Sequence, residues 1–138
     1  MASAASSRTP AQLFALVFGI VYVAVGLVGF AVTGFGNFFA SDAGTLILFP
    51  INAAHNIVHL LLGAVWIGSS RAHATAKAVN TAIGVAYLAV FLLGLFGALT
   101  WLAIPAGING DALLHLLSGG LSLYFGTAGA SATRAATA

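Results

Sequence analysis

Hydrophobic positions in this chain come in four long uninterrupted stretches, which we place at about 12–33, 51–69, 78–100 and 109–128. Each is close to the roughly 20 apolar residues that a helix needs to cross a hydrocarbon core about 30 Å thick. The stretches lack the apolar/polar alternation of a barrel strand, and in lipid each backbone amide must be bonded within its own segment, so helices are the expected spanning element. The pattern therefore predicts an all-α fold: a four-helix transmembrane bundle in which residues 1–138 form a single integral membrane domain. Thr9-Pro10 reads as the start of the first helix, Pro50 as the opening of the second, and residues 34–50 as a glycine- and aromatic-rich loop at the headgroup level. Ser69 to Lys77 reads as the connection between spans two and three, Thr100-Trp101 as the interfacial end of span three, and Pro105 to Asp111 as the turn into span four.

The few charges add a direction. Arg8, Arg71, Lys77 and Arg134 fall on one side of such a bundle, Asp42 and Asp111 on the other. Lysine and arginine in short loops mark the cytoplasmic face, so both termini are expected to be cytoplasmic. The first apolar run is too long for a signal-peptide core and is read as a retained span. Composition agrees, with 61% hydrophobic residues, 4% charged and a mean hydropathy of +1.10. The sequence pI of about 9.5 comes from four basic and two acidic residues and points to no nucleic-acid partner. The absence of cysteine removes disulfides, thiolate metal sites and iron–sulfur clusters, leaving histidine and carboxylate as the good ligands.

An internal repeat is also expected. Gly19-x-x-Tyr22-x-Ala24-Val25-x-Leu27-x-Gly29 recurs as Gly84-x-x-Tyr87-x-Ala89-Val90-x-Leu92-x-Gly94, and His59-Leu60-Leu61-x-Gly63 as His115-Leu116-Leu117-x-Gly119. Two spans per unit make two helical hairpins running in the same direction, related by a pseudo-two-fold axis along the membrane normal. His59 and His115 then lie at equal depth, and Asp111 stands where His55 stands.

Side chains at i and i+4 share a helix face, which places Asn52, His55, Asn56, His59, Gly63 and Trp66 on one stripe and Asp111, His115, Ser118, Gly119 and Ser122 on another. Polar groups within spans face the bundle interior, here in its outer half. Three arrangements fit. His55, His59, Asp111 and His115 can form a tetrahedral site for zinc, iron, manganese or copper. His59 and His115 can be ligands of a haem or chlorin, with Gly63 and Gly119 making room for the macrocycle. Or these groups, with Asn52, Asn56 and Ser118 in support and Asp111 capping span four, form an interhelical hydrogen-bond network. His73 reads as a solvated loop histidine, Trp66 and Trp101 as packing or interface residues, and Asn80 and Thr81 as locally bonded. No nucleophile triad, phosphate loop or H-E-x-x-H motif is present.

At Asn52-x-x-His55-Asn56-x-x-His59-Leu60-Leu61-x-Gly63 and Asn109-x-Asp111-x-x-x-His115-Leu116-Leu117-x-Gly119 the chain resembles a bacterial family of small four-span proteins, domain of unknown function 4383. The resemblance covers nearly the whole chain. It implies that His55, His59, Asp111 and His115 belong to the family pattern, and it brings no known activity. One departure is Ala112, where the family usually has asparagine after the aspartate. The functional expectation is a non-enzymatic accessory or structural subunit of a larger membrane complex or homo-oligomer. A metal- or haem-dependent redox enzyme is the alternative, and a transporter component ranks below both.

Overall fold

The computed structural model describes residues 7–131. Residues 1–6 and 132–138, including Arg134, lie outside the described residues. Helix α1 spans Pro10–Thr33, α2 Ala53–Ser69, α3 His73–Leu95 and α4 Gly110–Gly126. Two of the four, α1 and α3, are long and apolar enough to cross a membrane; α2 and α4 have 17 residues each. At 1.5 Å per residue these shorter helices are roughly 25 Å long.

The starts of α1, α2 and α4 follow from their capping chemistry. Thr9 and Gln12 form a reciprocal capping box ahead of Pro10. Asn52 accepts from the His55 amide at 2.9 Å and Asn109 from the Ala112 amide at 2.9 Å. Asn109, not Asp111, therefore caps α4. Pro50 does not open α2 but sits in a short ribbon, β1 (Gly44–Leu46) antiparallel to β2 (Phe49–Ile51), within the segment expected to be a loop.

Helix α3 also differs from expectation. It begins at His73, because Ser70–Ala72 suffice to reverse the chain, and it ends at Leu95, ahead of Gly97 at φ +73°. Thr100–Leu102 form a separate 3₁₀ turn. His73 is not a free loop histidine: its Nδ1 lies 2.8 Å from Thr9 Oγ1, while Gln12 Nε2 donates to Ser70 O at 3.1 Å. These contacts hold the start of α1 against the α2–α3 turn.

The helices pack as two antiparallel pairs. In α1–α2 a Cβ on Gly63 would lie 2.8 Å from Gly19 O, and one on Gly26 would meet Leu60. In α3–α4 a Cβ on Gly84 would lie 2.7 Å from the Leu123 amide nitrogen and one on Gly119 3.2 Å from Gly84 O. Glycine at these crossings lets the backbones approach closely. The pairs meet around Phe14, Tyr22, Trp66, Ile83 and Tyr87, with Phe18 and Phe125 packed against them.

Asn80, read from the sequence as locally bonded, ties the whole assembly together. It is fully buried; Trp66 Nε1 donates to its Oδ1 at 3.0 Å, its Nδ2 donates to Ala11 O at 3.1 Å and reaches Phe125 O at 3.5 Å, and its carbonyl accepts from Ser122 Oγ at 2.9 Å. All four helices thus meet at one side chain. Thr81 bonds within its own helix, to Lys77 O.

Candidate functional site

The histidine-bearing stripes of α2 and α4 converge at the end of the assembly opposite Asn80, beneath the ribbon and the 3₁₀ turn. Asn52 fixes this end. Besides capping α2, its Nδ2 donates to Ala40 O at 3.1 Å and Trp101 O at 2.8 Å, joining the two long connections. One turn on, the His55 and His59 rings stand edge to face with centroids 4.7 Å apart, and His55 lies 6.4 Å from His115 with the rings at 28°. Each member of the His59/His115 pair rests on a tyrosine of its own helix pair. Tyr22 stacks on His59 at 4.8 Å and Tyr87 on His115 at 5.2 Å, and the two tyrosines meet edge to face at 5.9 Å.

His115 Nδ1 is 2.8 Å from the backbone carbonyl of Asp111, one helical turn earlier, a geometry in which the ring N–H donates. The Asp111 carboxylate is 3.6 Å from the same nitrogen, beyond hydrogen-bond range. Donation from Nδ1 fixes the tautomer and leaves Nε2 with its lone pair. His55, Asp111 and His115 are buried and His59 is half-buried.

The structure therefore brings His55, His59, Asp111 and His115 together but not as a coordination shell. Among the described residues, no group of three or more histidine or acidic side chains is arranged to hold a metal ion. The reasons are local: two imidazoles are turned onto tyrosine faces, and His115 Nδ1 is committed to a carbonyl. A tetrapyrrole on His59 and His115 meets a different obstacle. Tyr22 and Tyr87 lie on the ring faces, and Gly63 and Gly119 are filled by the helix crossings instead of opening space. The two cavities beside the cluster, about 230 and 210 Å³, are smaller than the roughly 300 Å³ at which cofactor pockets begin.

The expected side-chain network is not formed either. Asn56 turns away from the histidines, donating to Thr33 Oγ1 at 2.9 Å while its amide packs on Gly29. Asn52 bonds to backbone groups alone. Ser118 lines the larger cavity with Tyr22, His59 and Asp111.

The two tyrosines are the site residues that the motif around the histidines did not include. The signal for them was present, since Tyr22 and Tyr87 occupy matching positions in the Gly-x-x-Tyr segments of α1 and α3.

The two cavities have related walls. The larger runs between α1 and α4, with Val21, Tyr22 and Val25 facing Asp111, Leu114 and Ser118. The smaller runs between α3 and α2, with Ala86, Tyr87 and Val90 facing His55, Val58 and Leu62. The first wall carries Asp111 and Ser118, and the second carries His55 and Leu62.

Neither a curated protein nor a solved structure matches the chain. The family model described as Domain of unknown function (DUF4383) matches residues 12–128, the part that carries all four helices nearly end to end, and the chain belongs to that family.

Proposed function

We propose that this chain is a small bacterial integral membrane protein. All four helices span the bilayer, both termini are cytoplasmic, and residues 1–138 form one domain. The observation that carries the reading is an inverted distribution of polarity. Asn52, Asn80 and Ser122 are fully buried, whereas Leu27, Leu61, Val85 and Leu117, one on each helix, are 60, 62, 57 and 65% exposed. In water such an arrangement would leave a broad apolar surface around every helix; in lipid it is the favourable one.

The antiparallel pairing extends the reading from two helices to four. Contacts from Gly19 to Gly29 follow α2 back along α1, so a bilayer crossed by α1 is crossed by α2. The same holds for α3 and α4. Their shorter length is met by local thinning and by the polar cap residues at their ends. Arg8, Arg71 and Lys77 gather where Thr9 meets His73, and Asp42 lies in the connection at the other end. This supports the cytoplasmic placement of both termini.

The two helix pairs are read as pseudo-symmetric hairpins, on the strength of the matched Gly19/Gly63 and Gly84/Gly119 crossings and the matched tyrosine–histidine stacks. The protein acts as a non-enzymatic accessory or structural subunit. It keeps the His/Asp/Tyr cluster away from water in the outer half of the membrane, and its apolar perimeter is available to other helices of a larger complex or a homo-oligomer.

The chain has no cysteine, so single replacements can report topology. Ser41→Cys and Ala106→Cys should react with a membrane-impermeant maleimide on intact cells. Ala72→Cys should react only after permeabilisation. Labelling of Ala72→Cys from outside would overturn the orientation, and labelling of Ser41→Cys and Ala106→Cys from opposite sides would overturn the four-span arrangement.

A further inference from the structure

Four buried side-chain polar atoms among the described residues make no hydrogen bond of good geometry within the protein: Tyr22 Oη, which has Tyr87 and Ser118 as polar neighbours, His55 Nδ1, whose ring lies near the Leu102 backbone, and His59 Nδ1 and Asp111 Oδ2. All four belong to residues lining the cavity of about 230 Å³ between α1 and α4. Buried polar groups are as a rule paired, so these atoms favour a polar ligand in the space that all four residues border. Apart from Ser118 the rest of the lining is apolar, with Val21, Val25 and Leu114 on the helices and Ile47 and Phe49 at the turn and second strand of the ribbon. Val21 and Ile47 are themselves 49 and 84% exposed, so the cavity communicates with the outer apolar surface of the protein.

We propose that this cavity binds the dihydroxylated aromatic head of a membrane-dissolved quinol. The inference rests on the membrane reading above, since the ligand enters from the bilayer. Size fits: a cavity of about 150 Å³ is enough for a benzene ring, so 230 Å³ admits a ring with substituents. Chemistry fits as well. A carboxylate oxygen accepts, so a ligand hydroxyl suits Asp111, while histidine and tyrosine can each either donate or accept. A quinol carries two hydroxyls on an otherwise apolar ring.

A phospholipid head is disfavoured because Arg8, Arg71 and Lys77 lie at the opposite end of the helices, which would leave its phosphate without a cation. The smaller cavity shares His55 and His59 but is lined by no carboxylate and has Leu62 where the larger has Ser118. It serves as the internal control.

The test uses the full-length chain in phosphatidylcholine nanodiscs and tritiated decylubiquinol kept reduced, with empty nanodiscs giving the partition background. The expected result is saturable binding of one quinol per chain. Leu114→Trp, which fills the cavity, should abolish it. Asp111→Asn, which preserves shape, should weaken it about tenfold, the size of a lost hydrogen bond to a charged group. Val90→Trp, in the smaller cavity alone, should leave it unchanged. Thermal melting of each variant in detergent verifies that it is folded, and Ser118→Phe replaces Leu114→Trp if the latter is not. Absence of saturable binding, or binding indifferent to both the cavity-filling change and Asp111→Asn, overturns the assignment. Carbonate extraction of the source membranes separates the two readings. A chain released by carbonate overturns the membrane placement, whereas a retained chain without saturable binding overturns the quinol alone.

Discussion

In α1–α2 the close approach is made by Gly19 and Gly63 and the aromatic stack by Tyr22 and His59; in α3–α4 the same roles fall to Gly84, Gly119, Tyr87 and His115. The pairs part company in their amides. Asn52, at the head of α2, reaches across to the carbonyls of Ala40 and Trp101, whereas Asn109, at the head of α4, donates to Pro105, Ala106 and Gly107 within its own turn. The buried amide within a helix pair also changes ends. It is Asn56 beside Thr33 in the first pair, whereas in the second it is Asn80, which accepts from Trp66 of the first. Shared small residues set the frame, and unshared polar residues decide where the pairs are tied together and which wall of the site carries a carboxylate.

Substitution at the shared glycines should have the largest effect. Gly63→Leu pushes a side chain into the Gly19 carbonyl and the Val23 amide and should leave no monodisperse protein by size-exclusion chromatography. Gly120→Leu, with nothing within 4 Å of its Cβ position, should elute like the unsubstituted chain. The alanine changes grade the comparison. Gly63→Ala meets backbone at 2.8 Å and should cost about 1–3 kcal/mol, as overpacking does. Gly119→Ala meets the flexible Leu88 side chain at 3.1 Å and the Gly84 carbonyl only at 3.2 Å, and should be milder. Equal melting temperatures for these two variants would mean that the crossings are not built as described.

The amide unique to the second pair comes next. Asn80→Ala leaves the indole N–H of the fully buried Trp66 unpaired and should lower stability by about 1–3 kcal/mol in a detergent melt. Replacing Ala15 of α1, which occupies the matching position in the first pair, tests a different thing. Ala15→Asn adds a buried amide without a designed partner and should also destabilise, so amide placement is specific to one pair.

The smallest effect separates the two caps. Asn109→Ala should cost about 1 kcal/mol, the usual value of an N-cap. Asn52→Ala should cost more, because the bonds to Ala40 and Trp101 are lost with the cap. Identical melting shifts would assign Asn52 a local role only.

Much of the fold was legible because its signals are local. An uninterrupted apolar run after Thr9-Pro10 defines α1 to within a few residues, whereas the heads of α2 and α4 were assigned to Pro50 and Asp111 although Asn52 and Asn109 cap them. The start of α3 was misread because polarity between His73 and Lys77 was equated with a loop, although a helix end can carry polar residues when the neighbouring helix supplies partners such as Thr9. The ribbon was missed because strands of three residues are too short to show alternation.

At the candidate site the sequence located the residues but not their bonds. The i, i+4 spacing brought His55 and His59, and Asp111 and His115, onto single faces. Whether those faces close on a metal, a macrocycle or one another depends on side-chain rotation, which the opposing helix sets.

By itself, then, the amino-acid sequence determined the number and approximate extent of the helices and the gathering of histidine and aspartate near one end. Period, length and capping are properties of a segment and its immediate neighbours. The tertiary structure alone decided that Tyr22 and Tyr87 cover His59 and His115, that Asn80 joins all four helices, and that four residues bordering one cavity each carry a buried polar atom without a hydrogen bond of good geometry. Those outcomes depend on the rotation of each helix against residues distant in the chain, and packing fixes that rotation.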